Sequence, residues 1–426
     1  MKFASTTALA LALALGAVAV TGATPAAAAK KADTAASGKR NFSPAFAKAY
    51  QPLQAALTAG DMAAAKAALP AAQAAATTDD DKFQVALVTY QIAQKTNDQA
   101  GAAAAVDAML ASGKAPPELQ TQLLTAQAQA AFNAGKFADA DRAFTQLVQQ
   151  KPNDPDTLIS LAAVKSREGR NADALPLVDQ AIQAKKAANQ PVDEDWYRRA
   201  LSISYDGKMP AQTIKYGQQM VDAYPRADIW RLALQTYRDT SHLDQQVDLD
   251  TLRLMRAANA LAGERDYYEY ANMALNKGFP GEAKAVIDHG TSSNMVDSKS
   301  LATSKALAEI KAIAGPKIAG DKAELPALDK RARAAADGKQ ALLTGDVYLG
   351  YGQYAQAVEL YKVALQKGGV DANVTNLHLG EALAQAGQKA DAAKALGAVT
   401  GANQPLAQYW AIWANKGSVP AAPAAH

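Results

Sequence analysis

Residues 131–155 read AFNAGKFADADRAFTQLVQQKPNDP. Gly135, Phe137, Ala140, Phe144 and Pro152 stand in the order Gly-x-Phe-x2-Ala-x3-Phe-x7-Pro. The next stretch repeats the frame with Gly169, Ala174, Val178 and Ala181, so that Gly135–Gly169 and Ala140–Ala174 are both 34 positions apart. A second pair lies toward the C-terminus. Gly345, Tyr348, Gly352, Tyr354, Ala357, Tyr361 and Ala364 are followed by Gly380, Leu383, Gly387, Ala392 and Leu396, with Gly352–Gly387 and Ala357–Ala392 both 35 positions apart. A fixed period of this length marks a stack of small structural units.

The residue types have a physical logic. Apolar residues at helical spacing predict two amphipathic helices per unit. Gly135, Gly169, Gly352 and Gly387 fall where the first helix ends, and glycine reaches a left-handed C-terminal conformation at least cost. Ala140, Ala174, Ala357 and Ala392 supply the small volume needed where paired helices cross, and Gly345, Gly380 and Ala128 let the first helix approach the second. Phe144, Val178, Tyr361 and Leu396, four residues after those alanines, lie on the same face and fill the space between units. No pair buries its apolar face alone, so the units must stack.

This pattern resembles the tetratricopeptide repeat family, whose units run Trp-x2-Leu-Gly-x2-Tyr, then Ala-x3-Phe, then Pro. The resemblance implies an all-α fold: an α-solenoid of helical hairpins winding into a right-handed superhelix, here in two segments. Other stretches follow the plan less faithfully. Trp196, Gly207, Tyr216 and Pro225 mark one unit, after an insert around Lys185–Asp193. Trp230 and Tyr237 begin another, without a clean glycine turn, and Tyr267, Ala271, Ala274, Gly278, Ala283 and Ile287 form a further one. Gly60, Ala65 and Leu69 match weakly, and Ala86–Met109 more weakly still.

Gly290–Asn294 reads as a loop, and Gly315–Pro316 and Gly320 as helix breaks. The expected organisation is therefore a repeat superhelix over 44–290, a helical connector over 291–336, and a repeat pair with a capping helix over 337–416. The capping helix, Leu406–Asn415 with Tyr409, Trp410 and Trp413, should close the last apolar edge. A Pro/Ala tail, expected to be disordered, occupies 417–426.

Lys2, the apolar run Ala8–Val20 and the small residues Ala26–Ala29 predict a secretory signal over 1–29, cleaved after Ala29 or Ala28, with a flexible lead-in over 30–43. The expected compartment is the bacterial periplasm, with peripheral outer-membrane association and no integral membrane segment after cleavage. The 426 residues carry 44 basic and 41 acidic side chains, a formal charge of +3, which gives no electrostatic case for nucleic acid. The chain has no cysteine, which excludes disulfides, thiolate metal sites and a cysteine nucleophile.

His242, His289, His378 and His426 lack metal-ligand spacing, and phosphate loops and nucleophile elbows are missing, so no cofactor, metal or catalytic set is expected. His378, between Leu377 and Leu379, reads as a core or groove histidine. Asp79–Asp81 and Asp193–Asp195 read as acidic helix starts. The short basic sets Arg198–Arg199, Arg253–Arg256 and Lys330–Arg333 read as solvated faces. Helical spacing puts Tyr267 and Tyr270 in the core and turns Tyr268 elsewhere.

The family resemblance implies a concave groove lined by first-helix positions. Here these include Thr125, Gln129, Phe132 and Asn133, then Ile159, Ser166 and Arg167, then Tyr197 and Tyr205, then Arg231, Gln235 and Arg238, with Tyr268 pointing toward the groove. The Lys and Asn with which some members clamp a terminal carboxylate are replaced by Thr125 and Gln129, so that clamp is not expected. The expected function is a non-catalytic envelope scaffold that binds a protein or extended peptide in this groove. The alternatives are a peptidoglycan-associated enzyme on a helical superhelix, for which Glu309 and Glu324 are the acidic residues of the connector, and a self-associating structural protein.

Overall fold

One type of turn closes most of the helix pairs. A residue in the left-handed region ends the first helix, and the next amide donates back to the carbonyl five positions earlier. Lys136 N–H reaches Ala131 O at 2.9 Å, Arg170 reaches Lys165 at 2.9 Å, Gln353 reaches Tyr348 at 2.9 Å and Gln388 reaches Leu383 at 2.9 Å. The left-handed residues at these four turns are Gly135, Gly169, Gly352 and Gly387, with φ of 72°, 76°, 70° and 75°. The same closure occurs where the sequence has no glycine signal: Asn97 (φ 54°) and Lys208 (φ 54°) take the left-handed position, with Asp98 bonded to Ala93 and Met209 to Ser204, both at 2.9 Å. Asparagine tolerates this region through its short polar side chain, which is why Ala86–Met109 is a full helical pair despite its weak sequence match. Gly207 is not the left-handed residue of its turn; Lys208, one position later, is.

The computed structural model describes residues 40–296 and 301–417. The signal segment, residues 30–39 of the lead-in and the tail beyond Gly417 lie outside the described residues. Among the described residues there are twenty α-helices and one 3-10 turn (Gly401–Asn403), and no strand. The chain divides into two compact units, the first ending at Leu147.

In the first unit, α1 (Pro44–Thr58) pairs with α2 (Met62–Ala75), and α3 (Asp79–Lys95) with α4 (Gln99–Ala111), followed by α5 (Pro117–Asn133) and the start of α6 (Phe137–Gln150). Each described helix packs on the next through α5. Phe46, Tyr50, Leu53, Val88 and Ile92 form one apolar cluster, and Phe83, Leu87, Tyr90, Met109 and Leu123 another. The acidic start at Asp79–Asp81 is a helix cap: Thr78 and Asp81 form a reciprocal capping box.

The second unit contains the pairs α7 (Pro155–Arg167) and α8 (Asn171–Ala187), α9 (Glu194–Asp206) and α10 (Pro210–Ala223), α11 (Ala227–Ser241) and α12 (Gln245–Ala257), and α13 (Gly263–Asn276) and α14 (Pro280–Ser292). Then come α15 (Leu301–Ala334), the pair α16 (Lys339–Gly350) and α17 (Tyr354–Lys367), the pair α18 (Ala372–Gln385) and α19 (Lys389–Gly397), and α20 (Gln404–Lys416). One apolar core runs from Leu158 to Ala414. The alanines of the repeat frame, Ala174, Ala357 and Ala392, are fully buried. A Cβ at Gly345 or Gly380 would fall within 3.0 Å of the Tyr361 ring or the Leu396 side chain, so these glycines do set the close helix approach.

Two expectations about segmentation are corrected. The stretch read as a loop at Gly290–Asn294 begins within α14, and only Ser293 and Asn294 form a turn. Gly315, Pro316 and Gly320 do not break the connector: α15 is one helix of 34 residues with Pro316 and Pro326 inside it. An interior proline costs about 3 kcal/mol, but here tertiary packing outweighs it. Leu307, Ile310, Ala314, Leu325 and Ala332 are buried and hold α15 against α13, α14, α16 and α17. Gly315 and Gly320 face open space.

The capping helix goes further than expected. α20 packs on α18 and α19, and also on α10 and α12 of the earlier repeats. Tyr409 is fully buried, its ring centroid 6.2 Å from that of Trp230 and 5.7 Å from that of Tyr237. Gln218 donates to Pro405 O at 3.1 Å and to Gln408 Oε1 at 3.0 Å. Trp413 Nε1 donates to Ala257 O at 3.1 Å, and Lys416 pairs with Asp222 at 2.9 Å. Within this unit the C-terminal helix therefore occupies a face that successive open repeats would have left to solvent. The pair α11–α12 is splayed compared with α9–α10 or α13–α14, and α12 is enclosed from Leu249 to Met255.

Candidate functional site

The predicted groove residues separate into three groups. Arg231 and Arg238 of α11 are committed internally. Arg231 pairs with Asp266 and donates to Ala260 O at 3.1 Å. Arg238 forks onto Asp248 at 2.6 and 3.0 Å and reaches Glu269 at 2.5 Å. Tyr197 is 2% exposed, edge-on to Tyr224, so it belongs to the core. Gln235 is half-buried on the α11 face that carries the paired arginines. The accessible members are Asn133 of the first unit and Arg167, Tyr205 and Tyr268 of the second. Tyr205 and Tyr268 are among the few exposed large aromatic side chains, while Tyr267 and Tyr270 are buried.

Arg167 and Tyr205 end α7 and α9, and these ends lie side by side, since Asn171 at the start of α8 sits against Gly207. Near Arg167, in the middle of α9, is a residue that sequence reasoning left as solvated surface. Arg199 is half-buried, and its Nε is enclosed without a hydrogen-bond partner. Burial lowers its pKa, Asp195 opposes this, and the charge of Arg167 adds to the lowering. Neither arginine makes an ion pair among the described residues, so two like charges lie near one another.

A second polar region lies inside the second unit. Arg253 of α12, read from the sequence as a solvated basic position, is 3% exposed. It forks onto Glu282 at 2.8 and 2.7 Å and reaches Asp250 at 2.9 Å; Tyr270 donates to Glu282 at 2.7 Å. His378 of α18 lies between Asp346 of α16, 2.8 Å from Nδ1, and Asp250, 3.1 Å from Nε2, and Tyr361 donates to Asp346 at 2.8 Å. Burial alone would lower the His378 pKa, but the two carboxylates together hold it well above the ordinary imidazole range. Both ring nitrogens then donate, which leaves no lone pair for a metal. Asp250, whose burial would raise its pKa, is held low by His378 and Arg253. A short carboxylate–imidazolium–carboxylate–guanidinium–carboxylate chain thus ties α12 to α14, α16 and α18.

Beside this chain is a cavity of ≈ 320 Å³ lined by residues from α12, α13, α14, α17, α18 and the turn after α16. Its walls include Arg256, Tyr270, Glu282, His289, Tyr354 and Glu381. Among the described residues Arg256 makes no ion pair or side-chain hydrogen bond, whereas its neighbour Arg253 is bound to both Glu282 and Asp250. Glu381 is 1% exposed, with Oε2 unpartnered; burial is the main cause that lifts its pKa well above the carboxylate range. His289 bonds Tyr267 through Nδ1 at 3.0 Å, and burial together with the Arg256 charge lowers its pKa. Arg256 and Glu381 carry no motif; the Arg253–Arg256 spacing was their only sequence signal. Glu309 and Glu324 are exposed on α15, away from this cavity.

No protein-family model matches the sequence, and neither does any curated protein. Among solved structures, the chain is similar to a tetratricopeptide repeat protein from Parabacteroides merdae, with 10% identity, 79% of this chain and 98% of that chain covered, and a TM-score of 0.31. It is also similar to a chain in the structure of Naa15/Naa10 bound to HypK-THB, with 12% identity, 85% and 70% covered, and a TM-score of 0.31. The tetratricopeptide-like character of the chain rests on its own repeated hairpins, with their left-handed glycine turns and fully buried alanines at the helix crossings.

Proposed function

We propose that the chain is a non-catalytic scaffold of the cell envelope that binds an acidic extended peptide, or an acidic segment of another protein, across the ends of α7 and α9. The observation that carries this reading is the neighbouring arginines Arg167 and Arg199, unpaired among the described residues, on helices that also present the exposed Tyr205 near the end of α9. A buried guanidinium nitrogen without a partner is costly, whereas Arg231, Arg238 and Arg253 of the same unit are each paired. Arginine and tyrosine are also the residue types that anchor protein interfaces. Export is supported by the apolar, small-residue pattern of the first 29 positions, and no helix among the described residues is long and apolar enough to cross a membrane.

The test is capture from bacterial envelope extract by the full chain and by Arg167→Ala/Arg199→Ala and Tyr205→Ala variants, with Arg142→Ala as an exposed control. The reading expects an acidic partner that the control retains and the face variants lose. Equal recovery by all four chains would reject it.

A further inference from the structure

We infer that the cavity between α12, α14, α17 and α18 is a binding site for a small organic carboxylate, held by Arg256. The inference concerns the interior of the second unit and is independent of the peptide face on α7 and α9.

Charge accounting of the walls decides the sign of the ligand. Glu282 is neutralised by Arg253, which forks onto it, and takes a further hydrogen bond from Tyr270. The Arg256 guanidinium has no carboxylate partner and faces the same space. Glu381 is enclosed with one oxygen unpartnered, and its burial favours the uncharged acid. His289 is held toward its neutral form. With Arg253 spent on Glu282, the surplus positive charge of the walls is the Arg256 guanidinium. A monoanionic ligand balances that charge, whereas an ammonium would meet Arg256 and a phosphate dianion would overcompensate it. Carboxylate is also the group whose geometry matches the guanidinium fork.

The volume fixes the size class. A space of ≈ 320 Å³ lies at the lower end of the range of about 300–1,000 Å³ for small-molecule sites. The rest of the wall suits an apolar or aromatic body: Tyr351, Tyr354 and Leu349 line it. Tyr351 is held in place by its hydrogen bond to Asp321 at 2.9 Å and by Gly281, where any Cβ would strike the ring.

The ligand carboxylate accepts from the Arg256 fork, whereas Glu381 lies enclosed behind the wall at 1% exposure.

Isothermal titration of the full chain tests this. The probes are benzoate, N-acetyl-phenylalanine with a free carboxylate, N-acetyl-phenylalanine amide and inorganic phosphate. The expected result is saturable binding of benzoate or N-acetyl-phenylalanine, with the amide and phosphate silent. Benzoate alone identifies a free small acid as the source, and binding of N-acetyl-phenylalanine identifies a chain-terminal carboxylate. Arg256→Gln, checked for native circular dichroism, should weaken binding by at least about tenfold, the scale of one charge-assisted hydrogen bond. Failure of both carboxylates to bind at millimolar concentration, equal binding by the amide or phosphate, or unchanged affinity in Arg256→Gln would each overturn the assignment.

Discussion

Gly217 of α10 and Tyr409 of α20 are far apart in sequence, yet a Cβ built on Gly217 would fall within 3.0 Å of the Tyr409 hydroxyl. Tyr409 is fully buried, so the ring cannot swing into solvent to make room. Gly217→Ala therefore introduces two opposed effects. Replacing a glycine inside a helix by alanine favours the helix by about 1 kcal/mol. Overpacking a rigid core costs about 1–3 kcal/mol. The single variant should be neutral to destabilised by up to about 2 kcal/mol. Removing the hydroxyl with Tyr409→Phe frees the space, leaving the Tyr409 Cζ and Ala233 Cβ at 3.5 Å, an ordinary contact. The lost bond to Ile214 O is long at 3.4 Å, so this change alone should cost under about 1 kcal/mol. In the phenylalanine background, Gly217→Ala should become stabilising. The double-mutant cycle, measured by urea unfolding followed by circular dichroism, should give a coupling of about 1–3 kcal/mol. If Gly217→Ala changes stability equally in both backgrounds, α20 is not seated on α10.

Further expectations concern the interior and the turns. Arg253→Met leaves Glu282 without its cation and Asp250 with His378 alone, and should cost about 3–5 kcal/mol in urea unfolding; a loss under about 1 kcal/mol would show that the chain around α12 is not formed. The folded-state pKa of His378 is raised above an unfolded value of about 6.5, so its contribution is complete below that value and is lost as pH rises through the folded value. The raised Glu381 pKa acts in the same direction from a lower starting point. Stability should therefore decline on the alkaline side of about pH 6.5, and His378→Gln should be both less stable and flatter over that range; a wild-type stability that rises from pH 7 to 9 would refute the imidazolium assignment. Lys208→Gly should stabilise the chain by a few tenths to about 1 kcal/mol, because Lys208 occupies the left-handed region, whereas Gly135→Ala should destabilise by about 1 kcal/mol or more; thermal unfolding distinguishes the two signs.

The repeat frame was legible because its residues act locally. Gly135, Gly169, Gly352 and Gly387 report a backbone conformation, and Ala174, Ala357 and Ala392 report a crossing volume, so each can be read without knowing the rest of the chain. Where another residue could satisfy the same local demand, as Asn97 and Lys208 do, the signal faded although the turn persisted. α15 was misread because proline and glycine penalties are local, while the buried side chains that overcome them, such as Leu307 and Leu325, gain their energy from helices distant in sequence. The groove was misread for a related reason. Arg231, Arg238 and Tyr197 occupy plausible first-helix positions, but their fate depends on Asp266, Asp248, Glu269 and Tyr224, which only the fold brings near. Arg256 and Glu381 look like ordinary surface residues in sequence, because burial of a lone polar group leaves no periodic trace.

The central structural claim is that the second unit closes on itself, with α20 seated across α10 and α12. The chain contains no native cysteine, so a thiol pair reports proximity without background. Gln218 and Gln408 touch at 3.0 Å across this seat. Gln218→Cys/Gln408→Cys treated with a short bis-maleimide at low protein concentration should yield an intramolecular cross-link, read by mass spectrometry of the linked peptides. A control pair placing one thiol on the solvent face of α15, Lys317→Cys with Gln408→Cys, should not react in this way. Absence of the first cross-link, with both thiols shown to be reactive, would contradict the fold described here and the core that depends on it.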